Sequence, residues 1–141
     1  MRRLLIFTTC FVFGIWILPA GPQIERMGIA GTDLVVEMHK THAHVFLAEY
    51  DFKMVLTAGG ENLDSEEMAS DTGGLSRIEV LWIDQRTIGF RDHISTKCLD
   101  IEREKFKYCS SDTVGQRLGY FDFDADRHWR FIRRDGGGLV R

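Results

Sequence analysis

Short runs of alternating apolar and polar residues follow one another along the chain, and polar, turn-like clusters separate them. The runs are rich in β-branched and aromatic residues, which is typical of half-buried strands. No long 3.6-residue periodicity is present, and the polar segment Glu61–Ser70 is predicted to be a loop or one helical turn. The pattern therefore predicts a single all-β domain, with strands at Leu34–Met38, His44–Glu49, Lys53–Ala58, Arg77–Ile83, Thr87–Arg91, Lys97–Ile101, Phe106–Ser110, Tyr120–Phe123 and Trp129–Arg133.

The most regular alternation lies between Lys97 and Cys109 and predicts a hairpin centred between Arg103 and Glu104. Its expected cross-strand pairs are two apolar contacts, two ion pairs and one pair of cysteines: Leu99 with Tyr108, Ile101 with Phe106, Asp100 with Lys107, Glu102 with Lys105, and Cys98 with Cys109. This register favours a Cys98–Cys109 disulfide. Two free or separately paired thiols are the alternative, because cysteines directly opposite one another need the non-hydrogen-bonded geometry.

The N-terminus has the layout of a secretory signal peptide. Arg2 and Arg3 precede an apolar run, Leu4–Leu18, which is short for a transmembrane helix, and Ala20 suits a cleavage site. We therefore expect residues 1–20 to be removed, a flexible lead-in over 21–33, and a secreted, extracellular protein. An uncleaved signal anchor is the alternative.

Charge and cysteine content change after this cleavage. Loss of residues 1–20 leaves 16 basic against 21 acidic side chains, a net charge of -5, and two of the three cysteines. An even pair in an oxidising compartment indicates a disulfide. The acidic balance argues against a nucleic-acid partner, and no membrane insertion is expected after cleavage.

A second segment, Phe46–Leu56, aligns without gaps on Cys98–Tyr108. The two share the pattern Leu, five residues, Lys, apolar, any residue, apolar. This match suggests a fold built from repeated hairpins, although alternation alone produces part of it.

The region from about residue 36 to residue 134 resembles the fibroblast growth factors. Ile88–Ile101 keeps the apolar, basic, Ser and Leu positions of that family's middle segment. Val45–Leu47 and Lys53–Val55 are similar to its first hairpins, and Phe121–Trp129 is similar to a later segment.

The resemblance implies a β-trefoil of twelve strands over residues 34–141, with a shortened third lobe. It also implies a growth-factor-like ligand of a receptor tyrosine kinase ectodomain, with heparan sulfate as an optional co-receptor. Other small secreted trefoil modules, such as carbohydrate-binding proteins or protease inhibitors, are the alternative, since a fold does not determine function.

Residue by residue, the resemblance places the receptor contacts at Asp122, His128 and Trp129. Trp129 would suit an interface anchor, and ordinary core packing is the alternative. Asp122 could equally be a solvated strand charge.

The resemblance also points to heparan sulfate binding through Arg130, Arg133 and Arg134. Such a cluster attracts sulfate groups electrostatically. The alternative is a solubilising surface on an acidic protein.

Other chemistry finds little support in the sequence. His42 and His44 would share one face of a strand, but no further metal ligand accompanies them at suitable spacing. Asp122, Asp124 and Asp126 lack the Gly and distal Glu of a calcium loop. Neither a nucleophile motif nor a phosphate loop is present, and we expect no enzyme activity, metal or cofactor.

Overall fold

The computed structural model describes residues 21–43, 47, 49–71, 77–126, 128–134 and 138–140. In these ranges the chain forms ten strands and no helix, so none of the described segments is a helix that could cross a membrane. The predicted all-β class is confirmed. The predicted signal peptide lies outside the described residues, as do most residues of the strand predicted at His44–Glu49.

The first four strands form an antiparallel meander, in which each strand pairs with its neighbours in sequence. The turn from the third to the fourth uses Gly59 and Gly60 at φ 58° and 88°, because a two-residue hairpin turn favours positive φ at both positions. The strands are β1 (Gln23–Gly28), β2 (Leu34–His42), β3 (Tyr50–Ala58) and β4 (Glu61–Glu67).

The remaining strands form a six-stranded antiparallel sheet with the order β10-β9-β5-β6-β7-β8. The chain leaves β8 at one edge and returns beside β5, so the segment from Cys109 to Gly115 crosses the ends of three strands. The strands are β5 (Ile78–Asp84), β6 (Thr87–Arg91), β7 (Thr96–Asp100), β8 (Lys105–Tyr108), β9 (Gln116–Phe123) and β10 (Trp129–Arg133).

A single apolar core draws on both sheets. Inward-facing residues from both sheets are completely buried, for example Val36 and Leu56 in the meander and Phe90 and Phe121 in the larger sheet. Such burial is the main favourable term in folding.

Carboxylates link the sheets at both edges. Glu25 of β1 accepts a hydrogen bond from the Phe131 N–H at 3.1 Å, and Asp64 of β4 accepts one from the Phe106 N–H at 2.8 Å. These bonds satisfy backbone donors at the edges of the six-stranded sheet, which would otherwise be open to pairing with another chain.

Two strands were not predicted from the sequence. Glu61–Glu67 forms β4 instead of a loop or helical turn, and the expected lead-in over 21–33 contains β1. Both strands are polar and largely exposed, because they are edge strands held by backbone pairing rather than by a buried face. The other predicted strands in the described part overlap observed ones.

The hairpin of β7 and β8 forms, but the predicted register is wrong by two residues. Leu99 lies opposite Phe106, and Cys98 lies opposite Lys107. A two-residue shift leaves every side chain on its predicted face, because side chains alternate with a period of two. The longer turn contains Glu104 at φ 54°.

The predicted second copy of this hairpin does not form. Asp51 and Phe52, which align with the turn residues Arg103 and Glu104, lie inside β3. There they pair with Thr41 and Lys40 of β2. The match between the two segments therefore reflects only the alternation of apolar and polar residues that amphipathic strands share.

Candidate functional site

A cleft of about 440 Å³ on the outer face of the six-stranded sheet brings together three arginines, Arg91, Arg117 and Arg134. Glu79 is the one carboxylate in its lining, so the cleft carries an excess of two positive charges. This concentration is local, since the whole chain has a net charge of -3. The cleft is the strongest candidate for a ligand site among the described residues.

An irregularity in β9 positions two of these arginines. The register of β5 with β9 shifts between Val80 and Leu81, so that Leu81 lies opposite Arg117 and Leu118 is left out of the ladder. The Leu118 carbonyl then accepts the backbone N–H of Arg134 at 2.9 Å. Bulges commonly re-aim side chains in this way. Here the bulge places Arg134 beside Arg117.

The three guanidinium groups differ in how much hydrogen-bonding capacity they keep. Arg117 pairs with Glu79 at 2.6 Å, and its side chain remains 46% exposed. Arg91 donates to the Thr113 carbonyl and to the Thr96 hydroxyl. Arg134 is exposed, and its guanidinium has no partner within the part of the chain that the structure describes. Arg134 and the free edge of Arg117 can therefore bind an anion.

Val114 and Gly115, at the end of the segment Cys109–Gly115, form one wall of the cleft. Gly115 packs so closely on β5 that a Cβ there would lie 2.6 Å from the Trp82 carbonyl oxygen. The Cys98–Cys109 disulfide, with Cα atoms 5.7 Å apart, anchors the start of the segment. The two cysteines are diagonal neighbours, since Cys98 lies opposite Lys107. The segment Cys109–Gly115 is thus held at both ends.

The turn between β6 and β7 is also held firmly. The Asp92 carboxylate accepts the backbone N–H groups of Ile94, Ser95 and Ala69 at 2.7, 2.6 and 3.0 Å. Burial raises the pKa of Asp92, but these three hydrogen bonds outweigh it and lower the pKa below its usual value. The ionised form of Asp92 therefore stabilises this turn, because it accepts all three hydrogen bonds.

The residues predicted to contact a receptor lie in different environments. Trp129 is 5% exposed and packs against the rings of Phe52, Phe121 and Phe123, so it belongs to the core and not to a surface. Asp122 forms an ion pair with Arg77 at 2.9 Å. Of the three, His128 is the one that is freely exposed.

Trp129 also belongs to an aromatic cage around a buried lysine. The Lys40 ammonium lies 3.7 Å from the ring centre of Tyr50, 3.4 Å from Phe123 and 4.9 Å from Trp129. It has no hydrogen-bond partner among the described residues, and Lys40 is 3% exposed. Burial lowers the pKa of Lys40 to about 8, although Asp71 and Asp122 raise it. Cation–π attraction replaces the missing hydrogen bonds.

Two of the three arginines predicted to bind heparan sulfate are already engaged. Arg130 pairs with Asp124 at 2.9 Å, and Arg133 donates to the Val140 carbonyl. Arg134 alone lies at the cleft. Sequence reasoning did not identify Arg91 and Arg117 as part of the site, because they lie on strands that meet only in the folded sheet.

Asp124, Asp126 and His128 offer possible metal-ligand atoms within 4.8 Å of one another. The Asp124 carboxylate is occupied, however, since it accepts the backbone N–H groups of Asp126 and His128 and pairs with Arg130. This arrangement is that of a turn satisfied by its own side chain. The His42 ring contacts the Tyr50 ring at a tilted angle of 53°, and His44 lies outside the described residues.

Comparison of the chain with known protein families, curated proteins and solved structures finds no match.

Proposed function

We propose that the chain is a secreted, non-enzymatic binding protein that holds a sulfated glycan such as heparan sulfate in the arginine cleft. The observation that supports the proposal most directly is the convergence of Arg91, Arg117 and Arg134 on one open cleft of an acidic protein. Guanidinium groups offer paired N–H donors that match sulfate and carboxylate oxygens. A glycan rich in both groups is the matching ligand.

The small free energy of each arginine–anion contact also favours a polymeric glycan as the ligand. Each exposed arginine contact with an anion contributes roughly 0.2–1 kcal/mol, because solvent and salt screen it. One contact would bind weakly, whereas several contacts along a repeating polyanion add to a useful affinity. A polymeric anion therefore suits this cleft better than a small free one.

The second part of the proposal is a growth-factor-like role, in which the glycan-bound protein binds a receptor tyrosine kinase ectodomain. The predicted signal peptide and the disulfide are compatible with an extracellular ligand. The β-trefoil stays a prediction, and the two-sheet arrangement adds no support to it. Because Trp129 is buried, a receptor surface would have to use other residues.

Titration of immobilised heparin with the protein tests the glycan proposal. The double variant Arg117→Gln, Arg134→Gln is expected to bind about tenfold more weakly, through loss of two charged contacts. The double variant Arg86→Gln, Arg130→Gln is the matched control, since it removes the same number of charges from exposed arginines that lie outside the cleft and pair with Glu102 and Asp124. Equal losses in both variants would mean that binding depends on overall charge and would overturn the assignment of the cleft.

Receptor ectodomains, added with and without heparin, test the second part separately. A complex that requires heparin and is lost in the double variant supports a co-receptor role. Heparin binding without any receptor complex leaves the alternative of a carbohydrate-binding module.

A further inference from the structure

The segment Cys109–Gly115 lines two further depressions beside the arginine cleft. The first, of about 170 Å³, shares Arg91 with the cleft. The second, of about 490 Å³, shares Ile94 and Ser111 with the first and extends to Tyr108. The three depressions therefore follow one another across the end of the sheet.

Tyr108 lies at the far end of this path and presents an unusually open ring. Its residue is 77% exposed, although it belongs to β8. The Lys97 ammonium lies 4.5 Å from the ring centre, and Lys97 is itself held by Glu66 at 2.5 Å. This contact covers part of the ring, and most of the Tyr108 surface stays exposed.

The lining of the depression at Tyr108 is rich in hydroxyl groups. Ser95, Ser110 and Ser111 border it, and Ile94 is the large apolar residue beside them. A protein partner would favour a broader apolar centre, with few polar groups. An aromatic face next to hydroxyl groups matches a sugar ring, whose C–H groups face the negative side of the aromatic ring while its hydroxyls form hydrogen bonds.

We propose that Tyr108 is a stacking subsite for a sugar ring of the same anionic glycan, whose chain runs from the arginine cleft along Cys109–Gly115. This inference rests on the proposed function and adds a second, uncharged contact to it. The path passes Arg91, which lines both the cleft and the depression next to it. Asp92 lines that depression as well, but its carboxylate oxygens already accept backbone N–H groups of the turn. The site therefore selects for chain length as well as for charge.

The test compares heparin oligosaccharides of two lengths, a disaccharide and a decasaccharide, by calorimetry with the protein produced from the full chain. Tyr108→Ala is expected to weaken decasaccharide binding about fivefold, through loss of the ring contact. Disaccharide binding at the arginines should not change. Tyr108→Phe is the matched control and should keep the affinity for both lengths, because it keeps the ring.

Salt dependence separates the two contacts further. Arg134→Gln should reduce the dependence of affinity on salt concentration, whereas Tyr108→Ala should leave that dependence unchanged, because stacking is not screened. Thermal unfolding confirms that each variant remains folded.

Decasaccharide affinity that is equal in Tyr108→Ala and in the unaltered protein would overturn the stacking subsite while leaving the arginine cleft intact. If neither the arginine nor the tyrosine variants change binding to either oligosaccharide, the proposed function fails as well. If Tyr108→Ala lost more affinity for the disaccharide than for the decasaccharide, this result would also contradict the proposed path of the glycan, in which only the longer ligand reaches the ring.

Discussion

The molecule places positive charge in two opposite environments. At Lys40 one ammonium group is buried among aromatic rings and has no hydrogen-bond partner among the described residues. At the arginine cleft three guanidinium groups lie at the surface around a single carboxylate. The charge of Lys40 is enclosed by the fold, whereas the charges at the cleft remain accessible to a ligand.

The comparison shows how burial decides what a cation does. A buried ammonium loses its hydration, and rings alone return only part of that free energy. We therefore expect the charged form of Lys40 to lower the free energy of unfolding. The surface arginines keep their hydration until a ligand replaces it, so they have little effect on stability and can contribute to binding. Variants at the two sites should change different measurements.

The largest effect is expected from Trp129→Ala, which removes the ring shared by the cage and the core. The free energy of unfolding should fall by about 3–5 kcal/mol, the usual cost of deleting a buried aromatic side chain. Denaturant unfolding measures this change. A loss below about 1 kcal/mol would contradict core packing and would restore Trp129 as a candidate surface anchor.

Lys40→Met should have the next largest effect, and it should be stabilising. The folded-state pKa of Lys40 is about 8, below its ordinary value of 10.5. The unfolded chain therefore binds more protons between these values, and stability falls as pH decreases from 10.5 to 8. Met keeps the length of the side chain without its charge, so below pH 8 the variant should gain about 2–3 kcal/mol.

Unfolding curves at pH 7 and near pH 10.5 measure this difference, which should shrink at the higher pH. Lys53→Met is the matched control, because Lys53 is an exposed lysine on the neighbouring strand. A destabilised Lys40→Met protein at pH 7 would mean that cation–π attraction outweighs the cost of burial.

The smallest effect is expected from Glu79→Gln at the cleft. This change removes the carboxylate that pairs with Arg117 and frees its guanidinium for a ligand. Heparin affinity should rise about threefold, while the free energy of unfolding should change by less than about 1 kcal/mol, as for other exposed pairs. Weaker heparin binding would show that Glu79 orients Arg117 and does not compete with the glycan.

Prediction from sequence succeeded where a strand buries apolar side chains at alternate positions. Strands such as β6 and β10 were predicted at their observed bounds, because apolar side chains alternate along them. It failed at β1 and β4, whose side chains are mostly exposed and whose backbone groups pair with a neighbouring strand. Backbone hydrogen bonding does not require an alternation of apolar and polar side chains, so the sequence pattern does not reveal it.

The candidate site shows the same division. The resemblance placed Arg134 among the residues expected to bind heparan sulfate, but Arg91 and Arg117 were not grouped with it. No spacing links the three, since the bulge at Leu118 and the return of β9 beside β5 bring them together. For Trp129 the sequence left an interface anchor and core packing open, and the fold places it in the core; a sequence does not show which aromatic residues the opposite sheet covers.

The sequence by itself determined the all-β class, most strands of the six-stranded sheet, and the two cysteines that form the disulfide. These features depend on residues close in the chain, through alternation and hairpin pairing. Only the tertiary structure decided the strand order, the cage around Lys40 and the arginine cleft. Each of these depends on contacts between distant segments, and packing of the whole core selects them.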